Sequence, residues 1–307
     1  MTDTAATATA RESTPEGGPA APPPAPATPT KAGTDWWAEA KGLFWLVLAV
    51  LGFHSLIAKP FYIPSESMMP TLIKGDRLVV SKFPYGWSYV SPSFHVLPFM
   101  PGRFFGHMPE RGDVVILTPP GEQSDYIKRV IGLPGDTIEV HEGVVRLNGR
   151  DLPRVAEAPA AIPIDANVPC DHGLEAQYRV VDASGHGVCA LPRFRETLPN
   201  GRSYDTVDMG YIPGSGDDYG PVTVPPRRVF VMGDNRDESA DSRYPTEELG
   251  LGGPVPWENL GGRADFITFS LDGRSEWYNP ISWLTALRGG RSGISLHPAR
   301  STKDDRR

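Results

Sequence analysis

The sequence predicts a mostly β domain carried behind a single apolar span. Three observations predict it. One stretch, Gly42 to Ala58, is apolar over nearly the length needed to cross a bilayer core. Beyond it the chain runs in short alternating or continuous β-like segments separated by turn signals. Gly and Pro, at 33 each in 307 residues, favour turns and short strands over a helix bundle.

Residues 1–35 are dominated by Ala, Thr and Pro, including "PAAPPPAPATPTK", with too few large apolar side chains to offset the entropy of ordering. A disordered tail is expected there. Residues 36–60 follow as a transmembrane anchor, flanked by Lys41 and Lys59, with Trp36, Trp37 and Phe61 placed for the membrane interfaces. A cleaved leader or a buried core helix would also fit the length. The start deep in the chain and the lack of a small-x-small site before Lys59 argue against cleavage. Arg11, Lys31 and Lys41 before the span against Lys59 and Lys74 after it place the N-terminus inside by a narrow margin.

Residues 61–272 form the main domain. "DRLVVSKF", "GDVVILT", "DTIEV", "GVVRLNG", "RVFVMGD" and "ADFITFSL" read as strands, with Asn148-Gly149 and "LPGD" at Leu133 to Asp136 as turns. Between about 151 and 226 the chain turns rich in Pro, Gly and Ala, and a loop-rich insertion is expected. Residues 273–307 read as a C-terminal tail. Its short apolar part either lies on a membrane surface or packs Trp277 and Trp283 on the domain. The aromatic run from Phe83 to Phe105 divides in the same way between a membrane-facing surface and ordinary core.

The net charge of −7 and the absence of a Lys/Arg cluster exclude a nucleic-acid partner. Cys170 and Cys189 are too few for a structural zinc site and are either bridged or free, according to compartment. The acidic stretch after Val231 is interrupted by Arg236 and lacks the glycine of a calcium loop, so no metal is expected.

Three blocks carry candidate chemistry. "IPSESMMPTL", Ile63 to Leu72, sets Ser65 and Ser67 between prolines with no histidine nearby. A serine hydroxyl is a poor nucleophile until a base takes its proton. "DYIKRVIGLPGD" supplies Lys128 at the end of an apolar run, where loss of hydration lowers an ammonium's pKa and makes the neutral amine a base. "FVMGDNRDESADSRY" compresses Asp234, Arg236, Ser239, Asp241 and Arg243 behind a strand. Singly, each has a bland reading as a structural serine, a strand-end lysine or a solvated turn.

In this order behind one apolar span, "SESMMPTL", "KRVIGLPGDTIEV" and "VFVMGDNRDESADSRY" resemble the three signature motifs of bacterial type I signal peptidases. The resemblance covers the anchor and about 59–269. It implies a membrane-bound, extracytoplasmic, antiparallel-sheet endopeptidase of the plasma membrane that cuts secretory preproteins after a small-x-small site and needs no cofactor. It further implies Ser67 as nucleophile, Lys128 as general base, and Ser65 with the Ser67 N–H as oxyanion donors. Ser239 would orient the amine, with Asp241 and Arg243, and Asp234 and Arg129, as supporting pairs. Phe61, Ile63, Leu72, Tyr126 and Ile127 would line shallow pockets for small side chains, while the substrate extends along strand edges near Ser65 and Asp125. Two other classes compete: a self-cleaving Ser-Lys regulator, which would carry a DNA-binding domain in place of the span, and a non-catalytic peptide-binding β domain, which would have no need of Ser67 and Lys128.

Overall fold

The computed structural model describes residues 35–91, 102–122 and 124–300. The expected disordered tail up to residue 34, residues 92–101 of the aromatic run, and the terminal stretch 301–307 lie outside the described residues.

The chain divides into two units after Phe44. An α-helix covers Trp36–Leu56, entering from an N-cap at Asp35 whose carboxylate accepts the N–H groups of Trp37 (3.1 Å) and Ala38 (3.3 Å). It has no buried residue and, among the described residues, is the one helix long and apolar enough to cross a membrane. The expected anchor therefore holds this helix and, at its end, the start of the first strand, Ala58–Tyr62.

The second unit is built on antiparallel ladders. A seven-stranded sheet runs in the order Ala58–Tyr62, Asp76–Ser81, Leu260–Ser270, Val114–Leu117, Tyr126–Gly132, Arg228–Met232 and Val255–Pro256. Asp76–Ser81 alternates between buried and half-buried positions, whereas Val114–Leu117 is buried throughout, as its unbroken apolar run requires. A four-stranded sheet joins Tyr219–Thr223, Thr137–His141, Val144–Leu147 and Arg150–Asp151. Its last turn is Asn148-Gly149, where both residues take positive φ (53° and 75°), the geometry that suits an Asn-Gly hairpin.

The segment expected as a loop-rich insertion contains loops but is organised by long strands. Arg154–Pro163, Gly187–Thr197 and Arg202–Val207 form most of a five-stranded sheet. Their prolines hid them. Pro159 sits on Arg154–Pro163, an edge strand, and Pro192 falls where the register shifts between Leu191 and Arg193, the two places a strand tolerates proline. Cys170 and Cys189 are joined by a disulfide, with 5.9 Å between Cα atoms.

The expected C-terminal tail is corrected by the structure, because it is part of the domain as far as Arg300. Ala299–Arg300 pairs with Arg202–Ser203, Leu296 is buried in the main core, and Arg288 and Arg291 reach Asp165 (2.7 Å) and Asp76 (2.5 Å). Asp165 and Asp76 lie more than a hundred residues away in sequence, so a basic Gly/Ser-rich stretch gave no hint of them. Trp277 is 86% exposed, so it does not pack on the domain. In the aromatic run, Tyr85 is buried and donates to Asp113 (2.8 Å), while Phe83, Phe104 and Phe105 are exposed.

Two adjacent methionines fix the loop between the first strands. Met68 is buried with Ile63, Leu72, Leu78 and Ile127 in one cluster, and Met69 with Ile73, Leu191, Val207 and both cysteines in another. The residue before them is thus held between two cores. Met69→Ala is expected to destabilise the protein by about 2–4 kcal/mol through the cavity it leaves, read as a fall in the midpoint of denaturant unfolding.

Candidate active site

Ser67 lies on the tight turn that those methionines anchor, with Met69 N–H donating to Glu66 O (2.9 Å) and Leu72 N–H to Met68 O (2.9 Å). Lys128 lies in the strand Tyr126–Gly132, paired opposite Val115. The two meet. Lys128 Nζ donates to Ser67 Oγ at 2.9 Å, with Lys128 4% and Ser67 7% exposed. Burial pushes the Lys128 amine down to about 8, opposed by the carboxylates of Asp241 and Asp234 and assisted by the Arg243 charge. Lys82 is also pushed down to about 8, by burial and the neighbouring Lys59, but its ammonium faces the carbonyl of Ser91 (2.8 Å). A lowered lysine is therefore not sufficient; the hydroxyl beside Lys128 sets it apart.

Ser65 Oγ stands 3.5 Å from Ser67 Oγ, and the Ser67 N–H is tied to no backbone carbonyl among the described residues. The Ser67 carbonyl is engaged, accepting from Asn235 N–H at 3.1 Å. This turns the third block directly onto the serine turn.

Two of the buried ion pairs that organise that block flank the lysine. Arg129 grips Asp234 through Nε (2.7 Å) and Nη2 (2.6 Å), while Thr71 Oγ1 donates to the same carboxylate (2.6 Å). Asp241 accepts from Arg243 through Nε and Nη2, both at 3.0 Å, and from Gly233 N–H at 2.9 Å. Burial acts to raise the Asp241 pKa, but the Arg243 charge and these hydrogen bonds outweigh it and hold the carboxyl below its usual range. Ser239 is buried, and its hydroxyl has no hydrogen-bond partner among the described residues, Lys128 included.

Of the five pocket candidates, Ile63, Leu72 and Ile127 are buried in the core cluster, and Phe61 packs half-buried against it. Tyr126 belongs to a different cluster, its ring centroid 5.7 Å from Lys128 Nζ. The strand edge is better defined. Tyr126, Ile127 and Lys128 pair with Val115–Leu117 on one side, whereas the strand Arg228–Met232 on the other side pairs only with Arg129, Val130 and Gly132. An open ladder edge thus runs up to Lys128.

Sequence reasoning passed over Gly233. A Cβ there would overlap the Ser239 side chain and the carbonyl oxygen of Ser67, so the absence of a side chain is what lets the three segments touch. The available signal was the glycine ending the strand-like run "VFVMG", whose meaning depends on a partner far away in sequence. Thr71 was missed for the same reason.

A family model described as signal peptidase, peptidase S26, matches residues 36–269. Signal peptidase I of Rickettsia typhi is 37% identical over 249 residues, covering 79% of this chain and 83% of that protein. Signal peptidase I of Rickettsia massiliae is 37% identical over 287 residues, covering 87% and 97%. Among solved structures, the crystal structure of a signal peptidase I from Enterococcus faecalis V583 matches 51% of this chain and 97% of its own, at 22% identity and a TM-score of 0.27.

Proposed function

The chain belongs to the signal peptidases of family S26, and on that premise we propose that Ser67 is its nucleophile and Lys128 its general base. It is a membrane-associated serine endopeptidase that removes signal peptides from preproteins. The observation that carries the residue assignment is the 2.9 Å contact between a buried, pKa-lowered lysine and a buried serine hydroxyl.

Lys128, neutral, takes the Ser67 proton as Oγ attacks the carbonyl carbon of the signal peptide's last residue. The resulting oxyanion is held by the Ser67 N–H and the Ser65 hydroxyl, an arrangement worth about 3–4 kcal/mol per donor where measured. The lysine then passes its proton to the departing amine, and a water activated by the same amine hydrolyses the acyl-enzyme. Ser239, its hydroxyl oxygen unengaged among the described residues, accepts an N–H of the amine and so orients the lone pair toward Ser67. The Asp241–Arg243 and Asp234–Arg129 pairs hold the third block in register.

The substrate adds as a strand along the open edge at Tyr126–Lys128, with Phe61, Ile63, Leu72, Tyr126 and Ile127 excluding all but small side chains at the cut. The helix Trp36–Leu56 spans the plasma membrane with the N-terminus cytoplasmic and residues 61–272 outside, in contact with the bilayer. The Cys170–Cys189 bridge supports that placement, since disulfides persist in oxidising compartments.

The test is the pH dependence of preprotein cleavage. Because the active form is the neutral amine, kcat/KM should rise about tenfold per pH unit below about 8 and level off above it. A profile flat from pH 6 to 9 would remove Lys128 as the base. Mass spectrometry of the products should place the cut after a small-x-small sequence.

A further inference from the structure

The insertion has no part in the chemistry just described, yet one of its carboxylates reaches the core of the third block. Glu196, near the end of the strand Gly187–Thr197, is 1% exposed and accepts from Arg236 Nη2 at 2.6 Å and from the Tyr204 hydroxyl at 2.9 Å. Arg236 Nε donates onward to the carbonyl of Gly233 at 3.2 Å, and the Arg236 carbonyl accepts from Arg243 Nη2 at 2.6 Å. Gly233 is the residue that abuts the Ser67 carbonyl and Ser239. The Tyr204 ring meanwhile lies 4.4 Å from the Arg129 guanidinium, which grips Asp234. Backbone bonds reinforce the junction, with Arg236 N–H donating to Val207 O (2.8 Å) and Val207 N–H to Asp234 O (2.9 Å).

We propose that Glu196, supported by Tyr204, is a positioning residue for cleavage: through Arg236 it sets the place of Gly233, and hence of the Ser67 turn and Ser239. The insertion is thereby part of the catalytic apparatus. A fully buried ion pair adds little net stability over apolar side chains of the same shape, because desolvation offsets the attraction. Here one guanidinium nitrogen, Arg236 Nη1, is buried without a hydrogen-bond partner among the described residues, a further cost. What the pair provides is direction. An apolar substitute would fill the volume without fixing where the Gly233 carbonyl points.

The inference rests on the assignment of Ser67 and Lys128, so Ser67→Ala is run alongside; full activity in that variant would remove the assignment itself, independently of Glu196. The experiment uses the full chain in detergent and a purified preprotein, and measures kcat, KM and thermal midpoint for Glu196→Gln, Tyr204→Phe and the double variant Glu196→Met/Arg236→Met. Glu196→Gln should lower kcat about 10- to 100-fold with KM within about twofold. The double variant should melt at or above the parent temperature yet stay at least about tenfold low in kcat. Tyr204→Phe, which keeps the ion pair, should lose only a few-fold and covers the case in which Glu196→Gln fails to fold. Recovery of both melting temperature and kcat in the double variant, or an unchanged kcat in a folded Glu196→Gln, overturns the proposal.

Discussion

Ser67→Ala, Lys128→Met and the variant carrying both are expected to fall to one common floor, at least about 10⁴-fold below the parent in kcat, because the proposed nucleophile and base act as a unit and removing either removes the step. Additive losses in the double variant would show that the two side chains do not work on the same proton. The folded state should respond in opposite directions. Ser67→Ala removes a small hydroxyl and leaves the lysine amine without its 2.9 Å partner. Lys128→Met removes a buried amine whose pKa falls from 10.5 to about 8 on folding.

The sign of that second effect follows from linkage. The unfolded chain holds the lysine proton up to about pH 10.5, while the folded chain releases it at about 8. The cost of burying the ammonium is therefore present in full below pH 8, at about 3 kcal/mol, and fades as pH rises between the two values. Lys128→Met should raise the thermal midpoint at pH 7 and lose most of that advantage by pH 10. An inactive variant more stable than its parent is the signature of a site in which function holds a group against its preference.

The second large effect is expected at Gly233. In Gly233→Ala the new methyl meets the Ser67 carbonyl and the Ser239 side chain, and backbone cannot give way as a flexible side chain can. The serine turn must shift, and a displacement on the order of 1 Å costs about 100-fold in rate. We expect kcat to fall by about that factor or more, with stability lowered by about 1–3 kcal/mol. Adding Ser239→Ala should not restore stability, since the Ser67 carbonyl still blocks the methyl. Recovery of the unfolding midpoint would show that only the hydroxyl was in the way.

Much of this was legible in the sequence because local pattern carries it. The apolar span, the strands around Leu78, Val115 and Val231, and the Asn148-Gly149 turn each depend on neighbours within a few residues. The residue types at Ser67 and Lys128 were readable for the same reason. Their meeting across 61 positions was not in any local pattern and came only from the ordered trio of motifs. What stayed hidden depends on distant partners. Arg154–Pro163 and Gly187–Thr197 have prolines that mask their extended conformation, and Glu196 reads as one more charged residue until Arg236 arrives beside it. Arg288 and Arg291 look like a solvated basic tail because Asp165 and Asp76 are so far off in the chain.

Cys170 and Cys189, bridged to one another, are buried at 3% and 1% exposure and share their cluster with Met69, two residues past Ser67. A reductant can attack only when that cluster parts, so the rate of thiol release doubles as a clock for how often the floor beneath the serine opens. Any condition that quickens the clock should loosen the scissors.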